Sequence, residues 1–282
     1  MFKKLLASMG VGSAEVDARL HQSRVTPGGV VTGKVHIRGG EARQEVEDLS
    51  LFLMTEMEVE QGDAEYRQPY AIQRVQLARD FLLNPRDQFV VPFQLHVHPE
   101  TPITEIPTTQ AHPAAGKGGW GPGHGAAQAH YGFPPSRRGR QTSVWIHTGL
   151  SIDDGVDSTD RDLLTVTPTA PMLRFLGAVA NLGFQLVSAD VERGTLRGIG
   201  FQSTTGCYQE IEYRPMPGSR YAGRIKEIEV SFVTRYRDTC VLIEADQRFR
   251  RHDAYRSLIL DHQHYTSVNW EMELGRLLDS PR

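Results

Sequence analysis

Cysteine, surplus positive charge and long apolar runs are what this chain of 282 residues has little of. Its 31 Lys and Arg stand against 34 Asp and Glu, a formal net charge of −3. A general nucleic-acid binder carries a strongly basic surface, so this balance argues against that class. No stretch approaches the ~18 consecutive apolar residues of a membrane-spanning helix. The only cysteines, Cys207 and Cys240, fall in or near strand-like segments, where small buried thiols are common. A disulfide needs close Cβ atoms and an oxidising compartment, and the sequence shows neither. Both thiols are expected to be buried and reduced. Also missing are a phosphate-cradling Gly-x-x-x-x-Gly-Lys loop and a Gly-x-Ser-x-Gly elbow. No cofactor is expected.

What is present is alternation. Thr26-Pro27-Gly28-Gly29 runs into a segment with Val31, Gly33, Val35 and Ile37 at odd positions and Thr32, Lys34, His36 and Arg38 at even ones. Successive strand side chains face opposite sides of a sheet, so this strand has one dry face and one wet face. The period returns at Phe89, Val91, Phe93, Leu95 and Val97 against Gln88, Gln94, His96 and His98. Strands are expected at 14–22, 30–38, 46–60, 70–79, 88–98 and 144–150. In the third, Glu56, Glu58 and Glu60 form a solvated face that discourages edge pairing. Further strands are expected at about 184–193, 209–215, 224–234 and 238–246. Pro171 opens a helix whose apolar stripe is Met172, Phe175, Leu176, Val179 and Leu182, with Gly183 as its stop. Trp270, Leu274, Leu277 and Leu278 mark a C-terminal amphipathic helix that docks on the second domain. A chain of this length makes two domains of about 100–150 residues the natural division.

Residues 105–141 break the pattern. The segment is rich in Gly, Pro, Ala and His and has no period of 2 or 3.6, so a mobile loop is expected. Trp120, Tyr131 and Phe133 are aromatics of the kind that anchor partners, and Arg137, Arg138 and Arg140 could meet an acidic patch. The plain alternative is a tolerated surface insertion. Five aspartates lie within 153–162, but their spacing is not that of a helix-loop-helix calcium loop. A solvated connection between domains is the expectation there. Lys3-Lys4 before Leu5-Leu6 is too short a pattern for a signal peptide. Phe2, Leu5, Leu6 and Met9 read instead as a short amphipathic helix covering a sheet edge. The chemical rival is a metal-dependent hydrolase built from the histidines and aspartates of 96–162. Their spacing matches no metal-protease or zinc-finger signature.

The Pro-Gly-x-x-x-x-Gly-x-Val corner at 27–35 resembles one found early in arrestin-like domains. Pro92-Phe93-Gln94-Leu95 followed by Pro99-x-x-Pro102-Ile103-Thr104 is similar to a later segment of such domains. Adding residues 1–17, Leu53-Met54-Thr55-Glu56, Val156-Asp157-Ser158-Thr159-Asp160, Asn181-Leu182-Gly183-Phe184 and Gln209-Glu210-Ile211-Glu212-Tyr213 narrows the likeness. With His252-Asp253-x-Tyr255, Asp261-His262 and Asn269-Trp270, the order of motifs resembles the bacterial sporulation-control family called SpoOM, outside 105–141. The resemblance implies a cytoplasmic, two-domain arrestin-like regulator of sporulation or cell-division timing. It would act through protein partners and brings no catalytic residues. The expected fold is all-β with a few short helices: two antiparallel β-sandwich domains, 1–160 and 161–282, in an arrestin-like arrangement. The expected function is a non-enzymatic scaffold whose unknown protein partners meet Trp120, Tyr131, Phe133, Arg137 and Arg138.

Overall fold

The computed structural model describes residues 12–61, 64–108, 142–153, 155–247 and 254–280. In chain order the first half contains β1 (Glu15–Leu20), β2 (Arg24–Val25), β3 (Val30–Arg38), β4 (Gln44–Gln61), β5 (Ala64–Leu83), β6 (Gln88–His96), β7 (Val144–Ile152) and β8 (Ser158–Val166). The second half follows with α1 (Ala170–Asn181), β9 (Phe184–Arg193), β10 (Arg197–Gly198), β11 (Phe201–Gln202), β12 (Cys207–Pro215), β13 (Ile225–Thr234), β14 (Asp238–Gln247), β15 (Ala254–Asp261) and α2 (Trp270–Asp279). Among the described residues the chain is mostly antiparallel β with two α-helices, an arrestin-like fold.

Alternation sets the strands. In β3 the odd positions Val31, Val35 and Ile37 are buried and Lys34 and Arg38 are exposed. The turn before it is closed by the Gly29 N–H donating to the Thr26 carbonyl at 2.9 Å, with Gly28 at φ +77°. Only glycine takes that backbone angle without cost. Gly33 is glycine for another reason. A Cβ there would lie 2.6 Å from the Arg19 carbonyl and 2.7 Å from the Phe93 ring.

Strands β1, β3 and β6 form one sheet, in that order. It packs on a second that runs β5-β4-β7-β8-β2, and Val31, Val35 and Leu95 share one core with Leu51, Ile146 and Leu164. The two sheets are joined along β1 by side chains rather than by a backbone ladder. Ser158 Oγ accepts from the Val16 N–H at 3.0 Å and Asp160 Oδ2 from the Ala18 N–H at 2.8 Å. The aspartate-rich segment therefore corrects the sequence reading. From Ser158 onward it is strand β8, in register with β7, not a solvated connection. Asp162 sits at this seam, its carboxyl pushed up to about 6 by burial and by Asp160 and Asp17 nearby.

Two further expectations change. Phe89, placed on the dry face of β6, is exposed and leans edge-on against Phe81 at 6.5 Å; β6 is the edge strand of its sheet, and Ile37, its partner on central β3, is buried. Glu58 is not a solvated carboxylate. It is half-buried and faces Arg67 at 4.0 Å.

Glu58 of β4 pairs in parallel with Glu192 of β9, and through this bridge the second sheet continues into the second half as β9-β12-β13-β14-β15. There the inner face is covered by helices. Phe175 of α1 packs edge-on to Phe232 and to Trp270 of α2, each at 6.2 Å. Thr169 and Asn269 cap α1 and α2 at their N-termini. The opposite face carries Tyr208, Glu210, Glu229 and Glu244 and is closed at one end by Leu196 and Phe201 over Val233 and Cys240. Both cysteines are buried and free, as the sequence suggested.

Candidate functional site

The strand β6 ends at His96, and the chain then crosses from the first half to the second as Val97-His98-Pro99-Glu100-Thr101-Pro102-Ile103. Side chains of the second half tie this crossing down. The Glu100 carboxylate accepts from the Thr204 N–H at 2.8 Å, the Thr204 hydroxyl at 3.0 Å and the Thr205 N–H at 3.3 Å. The Thr205 hydroxyl lies 3.1 Å from the same carboxylate and 2.8 Å from the Cys207 carbonyl, with one proton to share. Gln209 then pairs with the crossing as a strand would. Its Oε1 accepts from the Ile103 N–H at 3.0 Å, and its Nε2 donates to the Ile103 carbonyl and to Thr142 Oγ1, both at 2.8 Å. Thr142 passes its own proton to the Ala189 carbonyl at 3.1 Å. Tyr70 donates to the Thr205 carbonyl at 2.6 Å, and Arg67 joins Asp190 across the same line. Gln209, Thr142 and Ile103 are all buried, so each bond replaces one that water cannot supply.

This lock leaves a cleft of about 710 Å³ beside it, lined from both halves. Pro27, Gly28, Gln73, His96, Val97, His98 and Pro99 form the first wall. The opposing wall is Thr169, Ala170, Pro171, Thr234, Arg235, Tyr236, His262 and Tyr265. That volume lies within the range of ligand sites, and a mostly apolar lining with a few convergent polar groups is their usual chemistry. His98 is held by the Glu100 N–H donating to its Nδ1 at 3.1 Å, so its proton sits on Nε2. Burial keeps its pKa below the ordinary value, against the pull of the Glu100 charge. His262 Nε2 lies 3.0 Å from Thr239 Oγ1. Arg235 is clamped by two bonds to Asp238, at 2.6 and 2.9 Å, and by a third to the Gly200 carbonyl at 3.0 Å. Tyr236 stands at the tip of the β13–β14 turn, 95% exposed. Gln73 Oε1 is sealed from solvent and has no donor.

Among the described residues, no three His, Cys, Asp or Glu side chains converge as a metal site. His96 and His98 line the cleft, while Asp157, Asp160 and Asp162 serve β7 and the β1 seam, so the structure does not unite the set expected of a hydrolase. Trp120, Tyr131, Phe133, Arg137 and Arg138 lie outside the described residues, as do His112, His124, His130 and the stripe of Phe2, Leu5, Leu6 and Met9. Residues 105–108 belong to the described part, with the Glu105 N–H donating to the Val166 carbonyl at 3.2 Å. Sequence reasoning placed His96 and His98 on the wet face of a strand, in the span of the rival hydrolase, and His262 in the family tail, and it missed Gln73, Arg235, Tyr236 and Tyr265 altogether. Tyr236 carried a readable signal, an aromatic between Arg235 and Arg237 just before Asp238 at a turn. Gln73 carried none.

The fold defines an arrestin-like protein, with a cleft lined from both halves. A family model described as SpoOM protein matches residues 2–115 and 126–249, and the chain belongs to that family. The sporulation-control protein spo0M of Bacillus subtilis (strain 168) is 29% identical over 249 residues, 88% of this chain and 81% of that protein. The crystal structure of Spo0M, sporulation control protein, from Bacillus subtilis is similar at a TM-score of 0.74 and 23% identity. That match covers 95% of this chain and 99% of the other. Among the described residues no helix is long and apolar enough to cross a membrane.

Proposed function

We propose that this protein is a non-enzymatic regulatory scaffold, acting in the cytoplasm by binding other proteins in the control of sporulation or cell division. The family and the name of its Bacillus subtilis relative support the regulatory role. The observation that carries the binding role is the cleft itself, a mostly apolar site lined from both halves beside a buried polar lock. The two domains read from the sequence, 1–160 and 161–282, would supply its walls, with β8 completing the first. Trp120, Tyr131, Phe133, Arg137 and Arg138 are proposed as a second contact, on their residue types alone.

The test is a cross-linked pulldown from native cytosol with three baits: wild type, Tyr236→Ala, and a variant lacking residues 108–138. One dominant partner lost with Tyr236→Ala, at unchanged melting temperature, is the expected result. Loss with the deletion alone would move the contact to the aromatic segment. No reproducible partner with any bait would remove the scaffold reading.

A further inference from the structure

We infer that two copies of this chain join along β15, antiparallel about a two-fold axis at Ser257, so that their sheets run on as one. This self-association goes beyond the binding of other proteins and does not depend on it.

An open strand edge pairs readily with another edge it meets, and folded proteins blunt such edges. Most edges of this molecule are blunted. In β1 the Val16 and Ala18 N–H groups are taken by Ser158 and Asp160. Strand β2 is only two residues long. Strand β5 carries Pro69 and two bulges, where its register on β4 shifts at Leu49/Ser50 and at Leu53/Met54. Strand β6 carries Pro92, which has no N–H to offer. Strand β15 ends the largest sheet with none of these devices. It contains no proline, and all eight of its residues pair with β14 without a shift. The one charge inside the strand, Arg256, turns back to the Tyr255 carbonyl at 3.3 Å.

Side chains then select the partner. Tyr255 and Ile259 share one face of β15, 55% and 51% exposed, with Ser257 between them. Leu260, on the other face, is buried. A two-fold axis at Ser257 sets Tyr255 of each copy against Ile259 of the other. Aromatic and β-branched residues make a favourable cross-strand pair. The same axis sets Arg256 against Leu258, so no like charges meet between 255 and 259. Neighbouring registers do worse. An axis at Arg256 brings two guanidinium groups face to face, which is unfavourable. One at Leu258 sets Tyr255 against Asp261 and Ile259 against Ser257. The strand is therefore self-complementary in one register, as an interface between identical copies requires. A foreign strand would need no such match.

The experiment is sedimentation equilibrium of the full chain from nanomolar to high micromolar concentration. The mass should rise reversibly from 31.6 kDa toward twice that value. Ile259→Lys, at an exposed position, should weaken the dimer about tenfold or more with the melting temperature unchanged. Ser257→Cys should form a cross-linked dimer under mild oxidation. Directly opposed Cα atoms of an antiparallel pair lie about 4.5–5.5 Å apart, within reach of a disulfide. Arg256→Cys is offset from its counterpart across the axis and should not cross-link. Cys207 and Cys240 are buried and should stay out of the reaction. A mass of 31.6 kDa at every concentration, or a dimer indifferent to Ile259→Lys, would overturn the inference. So would cross-linking through Arg256→Cys in place of Ser257→Cys. Each of these failures leaves the pulldown with Tyr236→Ala untouched, because that variant tests the cleft and not the sheet edge.

Discussion

At the scale of single residues, the junction depends on one amide. Gln209 satisfies both backbone groups of Ile103 and the hydroxyl of Thr142 in a site closed to water. Gln209→Leu should therefore cost about 3 kcal/mol in urea unfolding, since it leaves buried polar groups unpaired. A cost near zero would mean that water enters the junction. Glu210 makes the opposite prediction. Burial and the charges of Glu229, Glu192 and Glu244 push its carboxyl up to about 8. A pKa raised on folding gives stability that is full below about 4.5 and lost as pH rises toward 8. Glu210→Gln should accordingly raise the melting temperature at pH 8 and do little at pH 4.5. The same difference at both pH values would show that charge is not the cause. The thiols follow from burial too, both pushed up to about 11. Native protein should resist a thiol reagent at pH 8 and react with two equivalents only after unfolding.

At the scale of elements, the two helices share a role but differ in how well they start. The Asn269 side chain accepts from the Met272 N–H at 2.9 Å, whereas Thr169 lies 3.5 Å from the Met172 N–H. Asn269→Ala should cost about 1 kcal/mol and Thr169→Ala less, comparing denaturation midpoints. Equal costs would show that the longer contact is as strong as the shorter. Trp270 joins α2 to α1 through Phe175 and is 3% exposed. Trp270→Ala should cost about 3–5 kcal/mol. Most of the long strands and both described helices were legible in the sequence because period 2 and period 3.6 are local properties of the chain, but β15 and the short β10 and β11 were not. The N-terminal end of β6 and the aspartates of β8 were not. Phe89 keeps the alternation of a dry position but sits on an edge strand, while its partner Ile37 on central β3 is buried. The carboxylate of Asp160 earns its place only because β1, 142 residues earlier, presents an unpaired N–H there.

At the scale of the whole molecule, the crossing at His98 couples the two halves to pH. Its folded pKa lies below the ordinary 6.5 because burial disfavours the charged ring. A depressed pKa gives stability that is present above 6.5 and lost as pH falls toward the folded value. Stability between pH 5 and 7 should then drop more steeply in wild type than in His98→Phe. Glu210 pulls the other way over that window, so each single variant should expose the other's slope. Identical pH profiles for wild type and His98→Phe would show that the ring does not titrate with folding.

By itself, the sequence determined the β-rich class, most strand faces, both described helices and the family, because alternation, turn residues and motif order are written along the chain. It also placed both cysteines in the core. Only the tertiary structure decided the site. The cleft gathers residues from 27 to 265, and their closeness comes from sheet pairing and from Gln209 acting as a strand in side-chain form. No local spacing encodes such a meeting, since a cleft between halves is set by long-range packing rather than by neighbours in the chain.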